Sequence, residues 1–163
     1  MPLFNMTTLR ASLAPGQRLL GLDPGSRVIG VALTDVGLML ASPYGRVVRG
    51  KLSANAAEIG KIARKEGAFG LVIGLPLSLD GSAGPAAQAA RDWAHALSTA
   101  TGLPAALYDE RLSSAAVNRF LTGEADMTRK RRAEVVDQMA AAYMLQAALD
   151  ASIPTVVDSH GAG

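Results

Sequence analysis

In Leu19-Leu20-Gly21-Leu22-Asp23-Pro24-Gly25-Ser26-Arg27-Val28-Ile29-Gly30-Val31-Ala32-Leu33-Thr34-Asp35, an apolar run ends in one carboxylate, turns through Pro-Gly and returns as a second apolar run. That pattern predicts two antiparallel strands joined by a tight hairpin. Pro presets a negative φ at the second turn position and Gly accepts a positive φ at the third, so Pro24-Gly25 predicts a type II turn. Asp23 stands at the lip of the first strand. A charge so close to a core strand is costly unless a cation or a set of donors meets it. Taken alone, such an Asp caps its turn as readily as it binds a ligand, and its meaning depends on whether other acids recur at element ends.

The totals narrow the field. A chain of 163 residues with 49% hydrophobic and 18% charged residues suits one globular domain with an ordinary core. Aromatic residues make up only 4%, which leaves little from which to build a base-stacking platform. A formal net charge of +2 admits a polyanionic partner without demanding one. The absence of cysteine excludes disulfides and thiolate metal sites and fits a reducing cytoplasm. No run has the ~20 apolar residues of a membrane span, and residues 1–17 lack the apolar core of a signal peptide. These first residues predict a flexible leader, residues 18–158 a single domain, and residues 159–163 a flexible tail.

Further along, Val36-Gly37 predicts a second turn and Leu38 to Pro43 the start of a third strand, at an edge or a bend because Pro43 cannot donate to a ladder. Ser53 to Glu66 predicts a helix with Ser53 as N-cap, Ala56, Ile59, Ile62 and Ala63 on its buried face, Asn55, Glu58, Lys61 and Lys65 in solvent, and Gly67 past its end. Phe69 to Leu75 is a continuous apolar run, as expected of a strand covered on both faces in a parallel sheet. It leads into Pro76 to Ser82, a turn-rich loop of the kind that binds ligands at the carboxyl ends of parallel strands. From Pro85 a second helix buries Ala86, Ala89, Ala90, Trp93, Ala94 and Leu97, with His95 on its wet face. Ala105 to Tyr108 predicts a strand ending in Asp109-Glu110-Arg111, followed by a helix near Ser113 to Leu121. Glu124 to Arg132 reads as a polar connection holding Arg129, Lys130, Arg131 and Arg132, and Glu134 to Asp150 as a helix apolar nearly all round.

Three acids then lack an evident structural reason: Asp23 at a strand end, Asp109 or Glu110 at another, and Asp137 inside an apolar helix. Carboxylates brought together repel unless a divalent cation neutralises them, and oxygen-only ligands suit Mg²⁺ or Mn²⁺. Such ions activate water and stabilise the leaving oxygen of a phosphodiester. Because successive strand residues face opposite ways, one of Asp109 and Glu110 aims at Asp23; Glu110 is preferred, with Asp109 as its substitute and Arg111 as an ion-pair partner for Asp109. Salt bridges and caps account for any one of these acids taken singly.

The chain resembles the YqgF/RuvX family of ribonuclease H-like nucleases. Four blocks carry the likeness, in family order: Leu20 to Ser26 with Ile29 to Ala32, Val72 to Pro76 with Asp80-Gly81-Ser82, Asp109 to Ser114, and Val136-Asp137 with Ala140-Ala141 and Leu145-Gln146. Pro24 and Ser26 stand where relatives often carry an aromatic residue and a threonine, and Ser113-Ser114 replace a common Thr-Thr. The resemblance implies an α/β fold, a mixed sheet of three antiparallel strands extended by parallel ones and flanked by helices. It implies Asp23, Glu110 and Asp137 as the acidic, metal-binding site. It also implies a cytoplasmic role in processing the 5′ end of pre-16S rRNA, with Holliday junction resolution as the competing assignment. Ser26, Arg27, Pro76, Ser82, Arg111 and Arg129 to Arg132 are the candidate contacts to the nucleic acid, the basic run through charge and the loops through backbone amides.

Two other classes stay open. Actin-like and sugar-kinase ATPases also place an Asp-x-Gly-Ser turn between strands, but they pair two such domains around a nucleotide and leave Glu110 and Asp137 unused. A binding adaptor would keep the fold without the chemistry. The sequence leaves monomer and dimer equally open; a two-fold symmetric junction would favour a dimer.

Overall fold

The computed structural model describes residues 3–25, 27–75, 84–109 and 129–152, with residues 86, 109 and 129–137 described by their backbone alone. In chain order the elements are β1 (Leu3–Phe4), α1 (Met6–Ala11), β2 (Arg18–Pro24), β3 (Val28–Thr34), β4 (Ala41–Val48), α2 (Leu52–Glu66), β5 (Ala68–Leu75), α3 (Pro85–Thr101), β6 (Ala105–Asp109) and α4 (Arg129–Ala151). Among the described residues one six-stranded sheet runs in the order β1-β6-β5-β2-β3-β4. β2, β3 and β4 are antiparallel neighbours, whereas β2, β5, β6 and β1 are parallel. This is the expected mixed sheet. Its parallel half hides β5 between β2 and β6, which explains why that strand is an unbroken apolar run.

Strand alternation divides the core. Leu20, Leu22, Val31, Leu71 and Ile73 face α2 and α3 and pack with Ile59, Ala63 and Leu97. Leu19, Ala32, Val72 and Ala106 face the other way and pack with Leu9 of α1 and Ala141, Met144, Leu145 and Leu149 of α4. Close approach on this second face depends on Gly21, where a Cβ would stand 2.9 Å from the Leu145 Cβ. Pro43 lies on the edge strand β4, beside a bulge at Val31/Ala32, where its missing N–H costs no ladder bond.

Several local expectations are corrected. Residues 3–12 of the expected leader form β1, which pairs with β6, and α1, whose Leu9 is fully buried. Gly25 does not take the positive φ of a type II turn; its N–H donates to the Val28 carbonyl at 2.9 Å, and a Cβ there would meet that oxygen at 2.6 Å. Gly25 is therefore required for close backbone approach. Helix α2 begins at Leu52 after Lys51, and Ser53 is not its cap. Asn55, expected in solvent, is only 3% exposed: it accepts from the Gly50 N–H at 3.0 Å and donates to the Val48 carbonyl at 2.9 Å. In α3, Ala87 is buried where Ala89 was expected, and Ala89 is exposed. Helix α4 starts at Arg129, so the four cations occupy its first turn and are not in a connection. The helix expected near Ser113 lies outside the described residues.

Candidate active site

Asp23 is the penultimate residue of β2 and is half-buried. Strand register carries its position across the sheet. Asp23 is paired with Gly30 on β3, and Leu22, one residue earlier, is paired with Ile73 on β5. Ile73 is in turn paired with Leu107, and Gly74 with Tyr108. Asp23, Gly74 and Tyr108 therefore share one cross-strand row, with β2 and β6 about 10 Å apart across β5. Tyr108 packs with the α1/α4 core and Leu107 with the α2/α3 core, so this row is on the α4 face. Asp109, whose register partner is Leu75, holds the other parity on the backbone of β6.

Helix α4 descends this face antiparallel to β2. Leu145 covers Gly21, and the Leu149 carbonyl accepts from the Arg10 guanidinium at 3.2 Å beside the start of β2. Gln146 donates to the Met39 carbonyl and accepts from the Ala41 N–H, fixing the helix to the start of β4. Its N-terminal turns therefore lie toward the carboxyl ends of β2, β5 and β6. Position 137 shares the stripe of Ala141 and Leu145, four and eight residues on, which faces the sheet. It stands about 12 Å along the helix from Leu145, in the direction of Asp23.

Asp23, the end of β6 and the Asp137 position thus converge on one end and one face of the sheet. Glu110 lies outside the described residues, and the Asp109 and Asp137 side chains are not described. Among the described residues there is no group of three or more His, Cys, Asp or Glu side chains able to hold a metal ion. The donor chemistry of Asp23 fits a hard cation: a half-buried carboxylate on a rigid strand, reached by no hydrogen bond or ion pair among the described residues.

Of the expected nucleic-acid contacts, Arg27 is exposed in the turn after Asp23. Arg129, Lys130, Arg131 and Arg132 are the first four residues of α4, described by their backbone alone. Ser26, Pro76, Ser82 and Arg111 lie outside the described residues. His95 is exposed on α3, as expected, and Trp93 is partly buried against the core. Sequence reasoning missed Arg49, whose guanidinium donates to the Gly25 carbonyl at 2.8 Å. Its only sequence signal is an Arg-Gly pair between a strand and a helix, which is too common to single it out.

Comparison with known proteins follows the geometry. A Gluconacetobacter diazotrophicus protein named "Putative pre-16S rRNA nuclease" is 68% identical over 93% of this chain and 99% of its own length. Relatives of the same name from Acidiphilium cryptum and Rhodospirillum rubrum are 66% and 54% identical, over 92% and 93% of this chain and 94% of their own lengths in each case. Among solved structures, Thermus thermophilus RuvC in complex with a Holliday junction substrate superposes with a TM-score of 0.51 at 16% identity, covering 83% of this chain and 94% of that one. This likeness shows a ribonuclease H-like fold. Residues 17–151 match the family described as "RuvX: Holliday junction resolvase", and the chain belongs to this RuvX family of nucleases.

Proposed function

We propose that the chain is a divalent-metal-dependent phosphodiester endonuclease that processes the 5′ end of pre-16S rRNA in the cytoplasm, with residues 18–158 and the β1 and α1 segment that joins their sheet and core as a single nuclease domain. The observation that carries this reading is the convergence of Asp23, the carboxyl end of β6 and the Asp137 position on one face of the sheet. The shared name of the relatives supports the rRNA substrate.

The parity of β6 favours Glu110 over Asp109 as the second acid, because Tyr108, two residues before Glu110, is in the row of Asp23. Asp23, Glu110 and Asp137 would hold Mg²⁺ or Mn²⁺. When bound, these ions lower the pKa of water and neutralise charge on the leaving oxygen. The chain itself supplies placement. Asp23 is held on a strand paired with Gly30 of β3, one residue past the last pair with β5, so little entropy is lost in presenting its carboxylate. The cations of the first α4 turn would meet phosphates along the substrate, and Ser26, Arg27, Pro76, Ser82 and Arg111 would contact its backbone. The family description favours a second reading, cleavage of a four-way DNA junction, for which a two-fold dimer is the natural form.

Asp23→Asn tests the site. Cleavage of purified precursor rRNA in Mg²⁺ or Mn²⁺ is expected to vanish while the thermal unfolding midpoint and circular dichroism stay as in the wild type; undiminished cleavage removes Asp23 from the chemistry. A synthetic four-way junction assayed beside the rRNA decides between the substrates, and chelation of the metal is expected to stop whichever reaction is observed.

A further inference from the structure

The turn that follows Asp23 is gripped from outside the hairpin. The Arg49 N–H donates to the Arg27 carbonyl at 2.9 Å, and Nη1 of the same residue donates to the Gly25 carbonyl at 2.8 Å, so one residue holds both sides of the turn. The guanidinium also lies over the Trp93 ring, 5.3 Å from its centroid, and Trp93 packs against the α2/α3 core. Behind Arg49, the buried Asn55 bonds Val48 on one side and Gly50 on the other. A buried amide must satisfy its polar atoms, and here it does so by fixing the main chain on either side of Arg49.

Gly25 does not take the positive φ of a type II turn, and its carbonyl is held from outside the hairpin by Arg49. A planar guanidinium can donate in its plane while an aromatic ring covers its face, which a lysine ammonium cannot reproduce.

We propose that Arg49 is a positioning residue for substrate binding: supported by Trp93 and Asn55, it fixes the carbonyls of Gly25 and Arg27, and so sets the Arg27 contact and the backbone beside Asp23 against the phosphates of the nucleic acid. This rests on the nuclease reading above and adds to it a residue that acts through the turn and not through its own charge.

The test compares Arg49→Ala, Arg49→Lys and Trp93→Leu in the cleavage assay, with Asp23→Asn as the inactive control. Loss of a contact made equally to substrate and transition state raises KM, and Arg49→Ala is expected to raise it about tenfold with kcat within about threefold. Arg49→Lys is expected to match Arg49→Ala, and Trp93→Leu to move KM the same way by a smaller factor. Rescue by lysine together with a neutral Trp93→Leu would make Arg49 a plain charge contact and overturn the proposal, as would an unchanged KM in Arg49→Ala. Amide exchange of the Gly25 N–H gives a readout independent of cleavage. It is expected to quicken in Arg49→Ala at an unchanged unfolding midpoint, and unchanged exchange would overturn the clasp. If the wild type cleaves neither rRNA nor junction, the nuclease reading fails and the exchange result decides the clasp by itself.

Discussion

Leu19 enters β2 beyond the Leu20–Leu33 pair, and its buried N–H donates to the Thr34 hydroxyl at 3.0 Å. Thr34 is itself only 2% exposed, so no water can take its place. Thr34→Val keeps the shape and removes the acceptor, and an unsatisfied buried donor costs about 1–3 kcal/mol. Urea unfolding is expected to show that loss, and Thr34→Ser to recover most of it. Gly21 is a contrasting case at the same scale. There an added methyl meets the Leu145 Cβ, an atom fixed to helix backbone, and Gly21→Ala is expected to cost about 1–3 kcal/mol by the same measurement. Neither role was legible in the sequence. Thr34 reads as an ordinary strand residue, and the helix that passes over Gly21 lies more than a hundred residues away. Asp23 was legible because an acid ending an apolar strand contradicts its surroundings within a few residues.

At the scale of elements, the β3–β4 hairpin shows which turns a sequence reveals. Val36-Gly37 marks the turn, but its structure is set by Asp35, whose Oδ1 accepts from the Met39 N–H at 2.7 Å and the Leu40 N–H at 3.1 Å. The Leu40 and Met39 amides hold the Asp35 carboxyl below its usual range. A carboxyl with a lowered folded-state pKa stabilises the fold above its ordinary pKa, about 4, and loses that contribution as the pH falls through the folded value. The stability gap between wild type and Asp35→Ala is accordingly expected to be full at pH 7 and to close in acid below about pH 4, followed by thermal unfolding across pH. Leu38 takes φ 56° in this turn, a strain offset in part by its packing against the α1/α4 core and by the Arg10 guanidinium on its carbonyl. Helix α4 shows the opposite difficulty. Arg and Lys are good helix formers, but the run Arg129 to Arg132 contains no apolar residue, so hydrophobic periodicity places the helix start several residues too late.

For the whole molecule, the sheet order could be anticipated only where neighbours in sequence are neighbours in space. The β2-β3-β4 meander follows from turn chemistry, and β5 from its two-sided burial. β1 could not be seen in this way: two residues carry no periodicity, and Leu3 and Phe4 become a strand only by pairing with Ala105 and Ala106. That pairing closes the far edge of the parallel half and lets α1 bring Arg10 to three acceptors at once: the Leu149 carbonyl, the Ser152 hydroxyl and the Leu38 carbonyl. A cation on the last carbonyls of α4 also suits the negative end of that helix. The longest helix among the described residues is thus built like a lever, bolted at its root by Arg10, Gln146 and Leu145, with the Asp137 position further along its length. Small changes at the root would be magnified at the tip, so residues that never meet a phosphate can retune how the acids line up.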